Sequence, residues 1–366
     1  ILGVPRSAFP DPGAYEYTPQ VMSIDSVNVI QTVTASLGQS STNNQMLRVG
    51  IYTQNSLNPL ILNSISFSTN GSTNAANDIQ NAKLWTSGTI NSFTGATQIG
   101  DIIVNPNGLF SINNGTGLPM TLSPGNNYLW LTYDISGNAT DQNLIDAELV
   151  DVNVSGTSYF PAISAPAGSR KIRVINGSYT VGTSGDFATL SEAFNEINSI
   201  GLAGNTTLNI ISNITESSML TLNEWAPSGN SYTLLIQPQG GAWTISGSVG
   251  TALLKLNGAD RVTINGLNTG GNSLTFQNNS TATSTTVIWI SSLGANAGAT
   301  YNTIKNLNII GGSATVTSQF GIYAAGTSVS TTGAGMDNDY LTLEGNNISN
   351  VYYGIYTRGN GSPNQT

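Results

Sequence analysis

Apolar and polar residues alternate with a period of two through the first half of the chain. Leu47, Val49 and Ile51 alternate with Met46, Arg48, Gly50 and Tyr52. Ile61, Ile65 and Phe67 alternate with Ser64, Ser66 and Ser68. Leu129, Leu131, Tyr133 and Ile135 alternate with Tyr128, Trp130, Thr132 and Asp134. Such runs predict half-buried strands. Asn70-Gly71, Asn107-Gly108 and Pro124-Gly125-Asn126 fall between them as turn signals. Short strands separated by turns over residues 20–172 predict an antiparallel β-sandwich. One short helix is expected at Asn77 to Lys83. Residues 1–19 carry Pro5, Pro10, Pro12 and Pro19 and read as a terminal flap or linker.

The pattern changes at residue 173. Leu190, Ala193, Phe194 and Ile197 share one helical face, and Gly201 follows as a stop. Strand-like runs come next at Leu208 to Ile211, Tyr232 to Ile236, Leu253 to Leu256 and Val262 to Ile264. Two of these strand types then repeat. Ile264 to Leu267, Ile304 to Leu307 and Leu343 to Ile348 correspond, about forty residues apart. Interleaved with them, Ile288, Ile322 and Ile355 recur at steps of 34 and 33 residues. Two strand types returning in fixed order predict stacked coils, a parallel β-helix over 173–366. The period exceeds a minimal coil, so loops are expected to protrude at Ser291–Thr300 and Gly326–Asp337.

Composition narrows the chemistry. The chain has 10 Lys plus Arg, 19 Asp plus Glu, and a net charge of −9. That balance disfavours nucleic acid, which is held mainly by Lys and Arg on phosphate. It equally disfavours an anionic membrane surface. Cys and His are both absent. Disulfides, zinc-thiolate sites, imidazole bases and thiolate nucleophiles are therefore excluded. No apolar run approaches the ~20 residues of a membrane helix, so no membrane insertion is expected.

Several segments carry resemblances. Asn44 to Val49, Thr73 to Ile79, Leu122 to Asp134, Asp146 to Leu149 and Gly168 to Ile172 resemble the N-terminal domain of BNR-repeat neuraminidases. That resemblance implies an accessory sandwich, common in Bacteroidetes surface proteins. Gly185-Asp186-Phe187-Ala188-Thr189-Leu190 and the following helix resemble the N-terminal plug of pectin-lyase-like, right-handed β-helices. Ile1 to Arg6 and Pro10 to Tyr17 resemble the close of a repetitive β-domain. Together the resemblances imply an internal piece of a large modular exported protein, located extracellularly or at the cell surface. They further imply the type IX secretion route, with adhesion or gliding as the setting and neighbouring repeats of the same polypeptide as partners.

The candidate sites follow from these frames. Because Ile288, Ile322 and Ile355 point inward, Trp289, Tyr323 and Tyr356 point outward by alternation. The three rings then form a column suited to stacking on sugar rings; the competing reading is that loops cover them. Asn306 and Asn347 precede strand-core residues in successive coils and predict an inward Asn ladder at a corner. Asp337 and Asp339 are candidates for Ca²⁺, against the reading of a plain polar turn. Asp134, Asp141, Asp146, Glu148 and Asp151 crowd the end of the sandwich as Ca²⁺ ligands or as solubilising charge. Trp85 and Trp130 are either core or binding residues. Asp25-Ser26-Val27 fits an O-glycosylation pattern of exported Bacteroidetes proteins, at Ser26.

No catalytic residue is assigned. The β-helix spreads Asp260, Arg261, Asp337, Asp339 and Glu344 thinly, without the carboxylate cluster that pectate lyases use. The Ser-x-Asp-x-Gly-x-Thr-Trp boxes of neuraminidases do not occur. The expected function is a non-catalytic structural or adhesive segment, without cofactor, that meets glycans or surfaces. The alternative is an accessory part of a polysaccharide-active enzyme whose catalytic residues lie elsewhere.

Overall fold

The computed structural model of the chain describes residues 20–225 and 231–360. Its fold is all-β, an antiparallel sandwich followed by parallel sheets. The chain divides into two compact units between Arg173 and Val174. The flap read at 1–19 lies outside the described residues. Among the described residues, no helix is long and apolar enough to cross a membrane.

The first unit contains β1 (Ser23–Ile30), β2 (Leu37–Gly38), β3 (Asn44–Gln54), β4 (Ile61–Ser68), α1 (Ala75–Asp78), β5 (Ile79–Gly88), β6 (Thr97–Val104) and β7 (Leu109–Ile112). It continues with β8 (Met120–Thr121), β9 (Gly125–Ile135), β10 (Leu144–Ile145), β11 (Glu148–Val154), β12 (Thr157–Tyr159) and β13 (Arg170–Arg173). One sheet has the order β1-β3-β9-β5-β6, and the facing sheet β12-β11-β4-β7. Leu47, Val49, Ile51, Leu129 and Leu131 from one, and Leu62, Ile65, Phe67 and Leu149 from the other, are buried. Phe110 meets both Phe67 and Tyr133, at ring-centroid distances of 5.9 and 6.5 Å, and so bridges the two layers.

Two local readings change. The register of β4 on β11 slips at Asn63, so Leu62, not Ile61, faces the core. One extra residue flips every side chain beyond it. The helix expected at Asn77–Lys83 is only the single turn Ala75–Asp78, after which β5 begins. Four such residues cannot sustain a helix alone, and Ile79 onward gains more by pairing with β9.

The second unit opens with β14 (Gly177–Val181), then α2 (Leu190–Ile200). Thr189 caps α2: its hydroxyl accepts from Glu192 N at 3.1 Å, while Glu192 accepts from Ala188 N at 2.8 Å. Leu190, Ala193, Phe194 and Ile197 are all buried against the first coils, and Gly201 ends the helix at φ +76°. Burying each large apolar side chain contributes roughly 1.5–3 kcal/mol.

Coils follow as β15 (Thr206–Ile210), β16 (Ile214–Glu216), β17 (Leu220–Asn223), β18 (Leu234–Pro238), β19 (Ala242–Gly247), β20 (Ala252–Asn257), β21 (Val262–Asn265) and β22 (Ser273–Asn278). They continue as β23 (Thr285–Ser291), β24 (Thr303–Lys305), β25 (Asn308–Ile310), β26 (Gln319–Ala325), β27 (Thr342–Glu344), β28 (Asn347–Ser349) and β29 (Tyr353–Thr357). Three parallel sheets result, with orders β14-β15-β18-β21-β24-β27, β16-β19-β22-β25-β28 and β17-β20-β23-β26-β29. Ile264, Ile304 and Leu343 are register partners, as are Leu254, Ile288, Ile322 and Ile355.

Candidate functional site

The predicted ring column exists, but it is closed. Lys255, Trp289, Tyr323 and Tyr356 are successive register partners on the outer side of their sheet. Lys255 Nζ sits 4.2 Å from the Trp289 ring centroid. Trp289 and Tyr323 are nevertheless buried in a second apolar cluster with Phe320 and Val329. The connection between β26 and β27 folds over them. Tyr323 Oη donates toward Ser328 O and Ser330 O at 2.9 and 2.8 Å, and lies 3.2 Å from Ser330 N. Trp289 Nε1 donates to Gly326 O at 3.1 Å, and Tyr356 Oη to Thr331 O at 2.8 Å. The sugar-stacking reading of Trp289 and Tyr323 is thus corrected, because the covering loop takes the faces a sugar would need. Tyr356 is half-buried, with one face on Tyr323.

An exposed column lies elsewhere. Arg261, Tyr301 and Tyr340 are 36% (side chain), 50% and 68% exposed. Each precedes a strand of one sheet, and all three hold left-handed backbone, at φ 57°, 55° and 55°. Tyr301 and Tyr340 stack at 4.4 Å with planes 8° apart, and the Arg261 guanidinium lies 5.3 Å from the Tyr301 centroid. Both faces of Tyr301 are therefore occupied. Their spacing was readable, since it matches that of Ile264, Ile304 and Leu343.

The Asn ladder also changes. Asn306 donates back to Asn265 Oδ1 at 3.2 Å, and its side chain meets the position of Gly345 in the next coil. Asn347 donates to Asn308 Oδ1 at 3.3 Å. The two belong to different ladders, and Asn347 is exposed, not inward. The coil step here aligns Lys305 with Glu344, so the true partner of Asn347 is Asn308. A fully buried amide at this corner is Asn302, which accepts from Val262 N at 2.9 Å and donates to Ala259 O at 2.8 Å.

Several acidic groups act as acceptors for main-chain N–H. Asp337 accepts from Asn296 N, and the neighbouring Asn338 accepts from Ala299 N at 2.9 Å and donates to Ala325 O at 3.0 Å. The segment clamps two protruding loops together. Gly298 is required there, since any Cβ would collide with the carbonyl of Asp337. Asp339 meets Tyr301 N through its own carbonyl, at 3.0 Å. Asp260 accepts from Thr300 N at 2.6 Å. Buried Glu216 accepts from Leu190 N and Ser191 N, at 3.0 and 3.2 Å, at the start of α2. Burial pushes its carboxyl above the ordinary range, against the pull of those two bonds.

In the sandwich, Asp134 pairs with Lys83 at 2.7 Å and accepts from Asn43 N and Asn81 Nδ2. Burial would raise its pKa, but these donors together hold it below the ordinary range. Asp151 accepts from Ser158 Oγ at 2.7 Å, and Asp141 from Gln142 Nε2 at 3.0 Å. Among the described residues, no three acidic side chains gather as a metal site. Trp130 is buried and Trp85 half-buried, with Phe93 wedged against both at 5.9 and 5.5 Å. Their indole N–H groups go to Ser87 and Thr132. Ser26 is exposed on edge strand β1, beside a register shift.

A pocket opens at one end of the sandwich, where the turns Asn70-Gly71 and Asn107-Gly108 meet Glu148. Residues 68–76, Asn107, Gly108 and Glu148 line an open pocket of about 540 Å³. The rim is stapled. Thr69 N and Oγ1 pair with Gly108 O and N at 3.1 and 2.8 Å. Thr73 N donates to Leu144 O at 2.9 Å and its hydroxyl accepts from Leu144 N at 3.0 Å. Ser72 Oγ lies 3.1 Å from Asp146 O and accepts from Asp146 N at 2.9 Å. Gly71, at φ +89°, leaves room for the Asp146 carboxylate. Burial raises the Asp146 pKa, and the nearby Glu148 charge adds to it.

Comparison with the curated proteins finds no match. Among solved structures, Hadza microbial sialidase Hz136 is similar at 14% identity and a TM-score of 0.32. The similarity covers 40% of this chain and 31% of that sialidase, so the chain spans less than a third of it. Residues 24–158, most of the sandwich, match the family described as the N-terminal domain of BNR-repeat neuraminidase.

Proposed function

We propose that the chain is a non-catalytic structural and adhesive segment of an exported modular protein, and that glycans are what it contacts. One observation carries the non-catalytic part. Asp78, Asp134, Glu216, Asp260 and Asp337 each accept a main-chain N–H, across loops or from one coil to the next. A carboxylate held this way is a structural staple, whereas acid–base work needs an unengaged oxygen aimed at substrate. The ring column is likewise committed to packing. Similarity of residues 24–158 to a neuraminidase domain supports the glycan part. The same match favours a second reading, an accessory module beside a polysaccharide-active domain. Exposed Ser26 on an edge strand supports O-glycosylation there, in keeping with an extracellular setting.

The test is to incubate the purified chain with sialosides and plant and algal polysaccharides, and separately with a glycan array. Glycan capture without hydrolysis is the expected result. Hydrolysis by the chain overturns the non-catalytic reading, and failure to capture any glycan overturns the adhesive one.

A further inference from the structure

We propose that the sandwich pocket binds one neutral pyranose unit, through the side chains of Asn70, Asn74, Asn107 and Glu148. The inference rests on the glycan reading and gives it a site and a ligand class.

Asn74 caps α1 by position, yet its side chain makes no capping bond. Asn74 and Asn107 are both exposed in the pocket wall. Asn70 donates from Nδ2 to Glu148 Oε1 at 2.9 Å, a bond that uses neither its own carbonyl oxygen nor the second Glu148 oxygen. A side-chain amide offers donors and an acceptor in one plane, and a carboxylate offers two acceptors. Adjacent hydroxyls on a sugar ring are complementary to such pairs, each hydroxyl donating once and accepting once.

Rigidity and size agree with this. The loop carrying Asn70 and Asn74 is fixed through Thr69, Ser72 and Thr73, so little ordering is left to binding. Buried Asp78 accepts from Asn77 Nδ2, Thr140 N and Asn143 Nδ2 at 2.8, 2.9 and 2.7 Å and anchors α1 behind the wall. A volume of about 540 Å³ is in the range of small-molecule sites. Charge selects the sugar. Asp146 and Glu148 lie together at this end with no Lys or Arg in the pocket lining. A carboxylated sugar would meet like charge, a neutral one would not.

The experiment titrates the full chain with methyl glycosides of galactose, glucose, mannose and N-acetylglucosamine. N-acetylneuraminic acid, glucuronic acid and Ca²⁺ alone are run in parallel, with binding read by backbone and Asn side-chain NMR shifts. At least one neutral glycoside should shift the Asn70, Asn74 and Asn107 amides. An Asn74→Ala/Asn107→Ala double variant should bind it about tenfold or more weakly, with the melting temperature unchanged. Glu148→Gln should raise the affinity for glucuronic acid. Several results overturn the proposal: no neutral glycoside binding, tighter binding of the acidic sugars, Ca²⁺ binding at the pocket without any sugar, or wild-type affinity in the double variant. Array glycans still captured by the double variant would remove this site and leave the adhesive reading standing. Hydrolysis would remove the non-catalytic reading and leave the site.

Discussion

Tyr323 and Tyr356 lie face to face one coil apart, with ring planes 3° apart and centroids 5.6 Å apart. Both hydroxyls reach the loop that covers them, Tyr323 at Ser328 and Ser330, Tyr356 at Thr331. The column therefore fastens the loop to the β-helix. Tyr323→Phe keeps the ring but removes the hydroxyl. It should cost about 1–3 kcal/mol in chemical denaturation. It should also speed amide exchange at Ser330, whose N–H lies 3.2 Å from that hydroxyl. Unchanged exchange at Ser330 would show that the loop is held by other contacts.

Tyr301 tests whether the exposed column is a strain-bearing device. Its left-handed backbone costs roughly 1–3 kcal/mol for a side chain of this kind. Stacking on Tyr340 returns about 0.5–1.5 kcal/mol. Tyr301→Gly relieves the first and loses the second, so stability should stay within about 1–2 kcal/mol of the parent. Tyr301→Val keeps the backbone cost with a β-branched side chain and loses the stack, and should be the less stable of the two. Thermal melts of both variants check the order.

The Lys83–Asp134 pair is mostly buried, at 13% and 4% side-chain exposure. Lys83→Met leaves the Asp134 carboxylate buried with only neutral donors, which should cost about 3–5 kcal/mol. Because the carboxyl is held below its ordinary value, its contribution is complete at neutral pH. That contribution fades as acid protonates it, below the usual carboxylate range. Denaturation of the parent and variant should therefore converge as the pH is lowered. A constant difference down to strongly acidic pH would contradict this.

Glu216 has the opposite sign. Its carboxyl is raised above the unfolded value, so at pH values between the two the folded chain holds more proton than the unfolded chain. Its effect on stability is most favourable below the ordinary carboxylate pKa and is lost as pH rises through the raised value. Glu216→Gln retains an acceptor for Leu190 N and Ser191 N without charge. The variant should lose part of the decline in melting temperature above about pH 4–5. An identical pH profile would exclude Glu216 as its source.

How much of this was legible depended on periodicity. Ile264, Ile304 and Leu343, and Ile288, Ile322 and Ile355, align because every coil must refill the same core position. The face Leu190, Ala193, Phe194 and Ile197 was readable for the same reason. The burial of Trp289 and Tyr323 was not, because the loop over them has no period and its path is set by hydroxyl-to-carbonyl bonds. The Asn306–Asn347 ladder is an error of register that spacing itself corrects: the step from Ile304 to Leu343 sets Asn347 opposite Asn308, not Asn306. The pocket was not legible because its walls come from three separated stretches, residues 68–76, 107–108 and Glu148, which only the fold brings together.

The stacked register is the claim on which the rest depends, and a chain without Cys allows a clean test. Thr303 and Thr342 are paired on adjacent parallel strands, and Glu344 lies two residues out of register. Neighbouring strands are about 4.8 Å apart, within disulfide reach, whereas a two-residue offset adds nearly 7 Å along the strand. Mild oxidation of Thr303→Cys/Thr342→Cys should form an intramolecular disulfide in the folded protein, and Thr303→Cys/Glu344→Cys should not. Cross-linking of the offset pair with none in the aligned pair would contradict the solenoid described above.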